Sequence, residues 1–470
     1  MIVKKMKKLG IVITDGVGFR NFIMSDFIAE AIQQFDSITL YSGLPIYAYN
    51  TISQPNITIK ELDVYVESKP VWFFRKWKEV AHLQKHQSFY GMKDNLETGY
   101  PKNNSARALL VKLIYCCTRF IHSDASILLA EKWQFLFFSK NKITQSYLQL
   151  LKEDKPSHLF FTHQRPPFLA PFLYAAQQLK IPTSTFIFSW DNLASKGRML
   201  GTFDYFLVWS HLMQSELLYF YPTVSTEKVK VVGTPQFEPY VMAKYKTTAD
   251  EFYAKFSLDA NLKTICYSCA DVSIGSNDPI VIRAIANAIR NNSIQAKVQL
   301  VVRTSPAEDH SRFKTIREEF TEIKWNVPKW VLTRENHAET WSQRVPSEED
   351  IKDLRSLLEY VDLNINMCST MSLDFMLFDK PVINTVFGNP ENGMYNDQRF
   401  LNFDHFKKVV DSKSVTIAKN ETELINQIND ALNNPKERTA ERKAMIDLQV
   451  SESLEGTSKR IATTLSHWND

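Results

Sequence analysis

Cysteine is scarce: Cys116, Cys117, Cys266, Cys269 and Cys368 are the only five in 470 residues. An odd, small number in a long chain argues against a disulfide framework and for a reducing compartment. Cys266-x-x-Cys269 has no second pair at metal spacing, and no Asp-x-Asp sequence stands out, so no metal site is expected. No apolar run reaches the ~18–20 residues that span a bilayer. In "MIVKKMKKLGIVITDG" the apolar part, "LGIVI", is shorter than the h-region of a signal peptide, and no small-residue cleavage site follows. That segment reads as a buried first strand entering a glycine loop, and the expected location is the cytoplasm, with contact to the inner face of a membrane as a further expectation. Net charge is small at +4, so the total implies no polyanion, and no nucleic-acid partner is expected. Sequence repeats and low-complexity tracts are also missing.

What is present is apolar residues in sufficient number, 44% of the chain, and a length that suits two cores rather than one. "KLGIVITDG", "SITLYSG", "HLFFTH", "IPTSTFIFSW" and "FDYFLVWS" read as strands. "FRNFIMSDFIAEAIQQF" and "PPFLAPFLYAAQQLK" between them have helical spacing. Strands alternating with helices imply parallel sheets with crossover helices. Residues 66–150 break the rhythm with aromatic, basic, helical segments such as "KPVWFFRKWKEVAHLQKH", and read as a helical insertion. Gly233, Pro235 and Pro239 punctuate the chain. A second series follows: "KTICYSC", "AKVQLVVRTSP", "DLNINMCST" and "KPVINTVFG" as strands, with helices between. The expected fold is α/β, with two Rossmann-like doubly wound domains facing a cleft. The expected boundaries are 1–240 and 241–440, with closing helices over 441–470.

Three segments of the second domain sit where ligands bind, after the carboxyl ends of parallel strands. Ser369 and Thr370, in "NMCSTMSLDFMLFDKPVI", stand at a strand-to-helix junction. There they either cradle a phosphate or cap the helix. Arg303, before Ser305-Pro306, is a cation at a strand end and is either a phosphate ligand or an ordinary salt-bridging arginine. The loop "CADVSIGSNDP", with Gly275, either covers a nucleotide or merely connects. In the first domain, Asp15 in "ITDGVGFRN" is a candidate general base or the cap of the next helix, and Arg20 is placed for an anionic acceptor. His163 and Arg165 in "FFTHQRPP", and Asp191 in "SWDN", are further strand-end candidates.

The succession "VVGTPQFEPY", "VVRTSPAED" and "CSTMSLDFMLFDKPVI" resembles glycosyltransferases of the GT-B architecture. It is most similar to the branch containing CDP-glycerol glycerophosphotransferases and related surface-polysaccharide transferases. "FIFSWDNLASKGRMLGTFDYFLVWSHLMQSEL" also resembles first-domain segments of bacterial surface-carbohydrate transferases. The resemblance covers roughly residues 158–400. It implies that Ser369, Thr370, Asp374, Arg303, Ser305 and Gly275 meet a nucleotide-activated donor. The first domain is then expected to hold a glycan or lipid-linked acceptor, and its strand-end residues Asp15, His163 or Asp191 are the candidates for the catalytic group, with Arg20 and Arg165 for the acceptor. Where many relatives have His-Pro, this chain has Ser305-Pro306, which weakens any inference to a CMP- or CDP-linked donor. The implied reaction is inverting and metal-independent, with no cofactor beyond the donor. The alternatives are a sugar-nucleotide epimerase of the same architecture and a non-catalytic glycan- or nucleotide-binding protein. Trp72, Phe73, Phe74, Arg75, Lys76 and Trp77 either line a membrane interface or pack the insertion.

Overall fold

The run Lys8–Ile13, KLGIVI, forms the first strand, β1, and its last five residues are buried. A strand covered on both faces reads as a continuous apolar run, and that is the mark of a parallel sheet. This computed structural model describes residues 6–469 other than 53, 273, 309, 336–339 and 389–393, so the basic residues at 1–5 lie outside it. The chain divides into two compact units, Met1–Pro235 with Gly456–Asp470, and Gln236–Glu455.

The first unit contains β1, β2 (Ser37–Ser42), β3 (Ile57–Glu61), β4 (His158–Phe161), β5 (Thr183–Phe186), β6 (Tyr205–Val208) and β7 (Val229–Val231). They form one sheet in the order β3-β2-β1-β4-β5-β6-β7, and every pairing is parallel. The strand order reverses direction between β1 and β4, so the two neighbours diverge there toward opposite edges. The core against this sheet is aromatic. Phe22 meets Phe27, Phe160 and Phe186 at ring distances of 5.2–5.6 Å, all edge-on, the geometry that the ring quadrupole prefers.

The helical insertion lies between β3 and β4 as five helices, Lys69–Lys85, Tyr90–Gly99, Ala106–Thr118, Asp124–Leu136 and Lys142–Asp154. The first packs on the second, third and fourth. Ser105, Ser123 and Asn141 cap three of them by accepting from backbone N–H groups of the first turn. The insertion buries one side only. Leu109, Leu113, Phe120, Ile121, Leu129, Trp133, Leu136 and Phe137 remain exposed, Phe120 by 80%. Phe73, Phe74, Trp77, Leu129 and Trp133 line an apolar recess of about 190 Å³ on this insertion. No described helix is long and apolar enough to cross a membrane.

The second unit contains β8 (Lys263–Ser268), β9 (Val298–Arg303), β10 (Lys324–Asn326), a hairpin of β11 (Trp330–Leu332) and β12 (Arg344–Pro346), then β13 (Leu363–Asn366), β14 (Val382–Thr385) and β15 (Thr416–Ala418). The main sheet has the order β10-β9-β8-β13-β14-β15, all parallel. It reverses between β8 and β13. Helix Asp278–Arg290 places Val281, Ile282 and Ile285 on one face, against Ile265 and Tyr267 of β8 and Val302 of β9 in a single core. Each such side chain contributes roughly 1.5–3 kcal/mol when buried. Helix Thr457–His467 belongs to the first unit, where it packs on helix Phe27–Gln34.

Candidate functional site

In an open parallel sheet the crevice outside the strand ends is deepest where the order reverses, because the loops there part to opposite sides. Each unit has one such point. Asp15, His163 and Arg165 follow the strands at the first, and Gly275, Ser369 and Thr370 those at the second, while Arg303 ends a neighbouring strand and Ser305 and Asp191 follow neighbouring strands.

In the second unit the reversal lies between β8 and β13. The loop after β8 carries Gly275, and the loop after β13 carries Ser369 and Thr370. Beneath the second loop is a buried amide network. Asn366 Nδ2 donates to Asn364 Oδ1 at 2.7 Å, Asn384 Nδ2 donates to Asn366 Oδ1 at 2.9 Å, and Asn364 Nδ2 donates to Ser268 Oγ at 2.8 Å. These bonds tie the ends of β8, β13 and β14 together. Ser369 N donates to Asn366 Oδ1 at 3.0 Å, and Ser369 Oγ accepts from Met371 N at 3.2 Å. The Ser369 hydroxyl therefore also serves the backbone of the helix start. Cys368, at φ +46°, makes the sharp turn. Burial pushes its thiol well up from the ordinary cysteine range.

The loop after β8 is held by residues that the sequence reading did not single out. Asp278 Oδ2 accepts from Ala270 N at 3.0 Å, and its Oδ1 accepts from Tyr267 OH at 2.7 Å. Arg312 donates to Gly275 O at 2.5 Å, to Ala270 O at 2.8 Å and to Asp278 Oδ2 at 3.0 Å. A Cβ on Gly275 would stand 2.7 Å from Asp278 Oδ2, so the glycine admits the close approach of its own brace. Burial pushes the Asp278 carboxyl up to about 7, against the pull of Arg312. The pattern that hides here is a strand-end loop followed by an acidic helix start, and Arg312 answers it 34 residues later.

Arg303 is placed at the end of β9 but points into the unit. Its guanidinium donates to both oxygens of Asp350, at 3.0 and 3.1 Å, and to Asn326 Oδ1. Asp374 is likewise buried and receives the Tyr240 hydroxyl. The observed bonds of both brace the strand end and the helix, as a buried charge requires a partner that neutralises it. Ser305 Oγ accepts from Ala307 N at 3.2 Å, turning the chain at Ser305-Pro306. Cys266 is buried in β8, 3.8 Å from Ser268 Oγ, with its thiol pushed up to about 11 by burial. Among the described residues no group of three or more His, Cys, Asp or Glu is arranged to hold a metal ion.

In the first unit the reversal lies between β1 and β4. Thr14 and Asp15 follow β1, and Thr162 to Arg165 follow β4. The loop after β4 touches β1 and the helix that follows it: Thr162 Oγ1 donates to Val12 O at 2.8 Å, and a Cβ on Gly18 would stand 3.0 Å from Thr162 Oγ1. Asp15 is buried. Its Oδ1 accepts from Gly18 N at 2.8 Å, and its Oδ2 accepts from Thr14 Oγ1 at 3.0 Å. It is the N-cap of helix Gly16–Ile23. Arg20 is buried on that helix, its guanidinium 3.5 Å from Asn21 Oδ1. His163 Nδ1 accepts from Arg165 N at 3.1 Å, and the ring stacks on Phe188 at 3.9 Å. Burial and Arg165 hold the imidazole well below its ordinary range, so it is neutral. With Nδ1 accepting, the proton of that neutral ring sits on Nε2. Asp191, after β5, accepts from Asn192 Nδ2 at 2.9 Å and lies 3.5 Å from Lys196 Nζ.

Residues 330–466 match the family model described as CDP-glycerol:poly(glycerophosphate) glycerophosphotransferase. No curated protein matches the chain in sequence. Among solved structures, the chain is similar to the wall teichoic acid polymerase TagF, at 12% identity and a TM-score of 0.50 over 99% of this chain and 90% of that one. It is similar to the UDP-GlcNAc 2-epimerase of Methanocaldococcus jannaschii, at 11% identity and a TM-score of 0.52 over 98% and 99%. It is also similar to S. aureus MnaA solved with UDP, at 11% identity and a TM-score of 0.50 over 98% and 97%. At such identities the likeness is one of fold. Two Rossmann-like parallel-sheet units of the GT-B type are the architecture of this chain.

Proposed function

We propose that the protein is a transferase of the glycosyltransferase type. It moves a sugar or a polyol phosphate from a nucleotide-activated donor to a glycan or lipid-linked acceptor of a surface polymer. The observation that carries this reading is the family match over 330–466, because that stretch contains the Ser369-Thr370 junction at the strand-order reversal of the second unit.

In this reading the donor meets the second unit across the loops that hold Gly275, Ser305, Ser369 and Thr370. Arg303 and Asp374 act as positioning residues beneath them. Donor groups aimed at the departing nucleotide phosphate stabilise the charge that develops there, and such stabilisation is usually the largest catalytic effect. The acceptor meets the first unit at the loops of Asp15, Arg20, His163, Arg165 and Asp191. His163, protonated at Nε2, serves as a hydrogen-bond donor to the acceptor. Asp15 or Asp191 takes the proton from the attacking hydroxyl. Transfer proceeds with inversion and without a metal ion. The exposed aromatic face of the insertion rests on the membrane that carries the acceptor.

Incubation with a panel of nucleotide-activated donors and a lipid-linked or glycan acceptor, in EDTA, tests the reading. Nucleotide release coupled to acceptor extension is expected. Conversion of the donor's own sugar without an acceptor would mean an epimerase, the activity named for several proteins of similar fold. Turnover that requires added magnesium or manganese would overturn the metal-independent step.

A further inference from the structure

The first unit contains a positive charge that no hydrogen bond or ion pair of the described residues answers, although the charge of Glu131 is felt there. Arg198 lies in the segment that returns from Asp191 toward β6 and is only 9% exposed. Its guanidinium carbon sits 4.4 Å above the ring of Tyr221. Among the described residues it makes no hydrogen bond and no ion pair, and none of its nitrogens is a fully buried orphan, so its donors open onto solvent. A guanidinium has five donors, and burying it without a partner is expensive.

The surroundings add charge of the same sign. Lys78 is buried and donates a hydrogen bond to Leu200 O at 2.6 Å, with Glu131 Oε2 at 3.4 Å. Glu131 is already used, accepting from Thr202 N at 2.9 Å and from Thr202 Oγ1 at 2.8 Å. His82, next to Tyr221, and His86, next to His82, are held neutral, largely by burial. One carboxylate thus faces two cations.

A third cation comes from the loop after β4. Leu200 N donates to Gln164 O at 3.0 Å, and Met199 N donates to Tyr221 OH at 3.0 Å. The first bond seams the Arg198 segment to the loop of Arg165, and the second ties it to the end of helix His211–Phe220. Arg165 is half-buried and its guanidinium has no partner among the described residues. Arg198 stacks on Tyr221, and the backbone bond from Leu200 to Gln164, the residue before Arg165, brings the two arginine segments side by side.

We infer that Arg165 and Arg198 form an anion-binding subsite in the first unit that takes a phosphoryl group of the acceptor. Two forked guanidiniums match the spread of phosphoryl oxygens better than a single point charge does. The assignment to the acceptor rests on the transferase reading above. The anion site itself does not. The phosphoryl group is either a phosphodiester of a growing chain or the diphosphate of a lipid carrier, and the test separates them.

Phenylglyoxal labelling of the full chain, mapped residue by residue, reads the site without using activity. Arg165 and Arg198 should be labelled in the free protein and protected together by glycerol 3-phosphate or by pyrophosphate at millimolar concentration, while glycerol gives no protection. Stronger protection by pyrophosphate points to the diphosphate source, and stronger protection by glycerol 3-phosphate to the chain. Arg198→Gln should weaken the protection of Arg165 about tenfold while thermal stabilisation by UDP or CDP is unchanged. Arg165→Gln offers the reciprocal measurement if that variant folds poorly. Labelling indifferent to both anions would overturn the subsite. Protection by UDP or CDP equal to that by the simple anions would assign the arginines to the donor and overturn the acceptor. Absence of transfer activity, with anion protection intact, would remove the transferase reading alone.

Discussion

Asp15 shows how one residue type at one position serves two chemistries that the sequence does not separate. An aspartate before glycine at a strand end suits both a base and a cap. In the structure both of its oxygens are occupied, by Gly18 N and Thr14 Oγ1, and hydrogen bonds to a carboxylate weaken it as a base. Asp15→Asn retains a capping oxygen and removes the basicity. If Asp15 takes the acceptor's proton, turnover should fall by roughly two orders of magnitude with nucleotide binding unchanged. Turnover close to that of the unaltered protein would move the assignment to Asp191. Asp278 is a cleaner case, because its environment fixes the sign. Its carboxyl rises from 3.8 unfolded to about 7 folded, so the folded state holds the proton longer. Between those values the unfolded chain loses it first, and stability falls as pH rises, by at most about 4 kcal/mol. Urea titrations of the second unit from pH 4 to pH 8 should show that decline, and Asp278→Asn should flatten it. An unchanged slope would mean that Arg312 keeps the carboxyl ionised throughout.

At the scale of elements, the buried central strands were legible and the edge strands were not. β1, β4, β8 and β13 are buried along almost their whole length and sit next to recognisable helical patterns. β3, β10 and β15 have only 3–5 residues and lie at the sheet edges or next to them, where partial exposure erases the pattern. Arg303 was visible as a strand-end cation. Its partner Asp350 lies 47 residues on, and nothing local announces that pairing. The aromatic insertion was read with two outcomes, and the structure shows the packing of part of it. Phe74 stacks on Trp133 and Phe137 at 6.0 and 5.9 Å, which is packing. Leu109, Leu113, Phe120, Ile121 and Leu136 are left outside. Exposed Lys102, Arg107, Arg119, Lys132 and Lys140 accompany them, while of the two carboxylates in this stretch Glu131 is buried and Asp124 pairs with Lys85. An apolar face with a basic surround matches an anionic lipid surface. Sedimentation with phosphatidylglycerol vesicles should capture the protein, and salt should weaken capture. Leu113→Ser with Phe120→Ser should reduce it about tenfold or more, since each buried apolar side chain contributes roughly 1.5–3 kcal/mol. Equal binding to phosphatidylcholine vesicles, or none to either, would oppose the membrane assignment.

At the scale of the whole molecule, the C-terminal segment returns to the first unit and packs on it. The chain leaves the first unit after Pro235 and comes back at Gly456, a residue with φ +73°, a conformation that glycine adopts at little cost. The returning helix Thr457–His467 buries Ile461, Ala462 and Leu465. Arg460 donates to Val232 O at 3.1 Å, and Trp468 stacks on Tyr205 of β6 at 4.6 Å. Contacts so distant along the chain carry no local signal, which is why the sequence suggests only closing helices and not which core they close. Burial of Ile461 and Leu465 alone is worth roughly 3–6 kcal/mol at 1.5–3 kcal/mol per side chain, a large part of a domain's typical stability. Deletion of residues 456–470 should therefore destabilise the first unit selectively. Hydrogen exchange should accelerate in helix Phe27–Gln34, against which the returning helix packs, and in β6. Strands β8, β9, β13 and β14 should keep their protection, and nucleotide binding assigned to the second unit should survive in the truncated chain. Equal acceleration in both units would mean that they unfold as one cooperative body. No acceleration in the first unit would mean that its sheet holds without the returning helix.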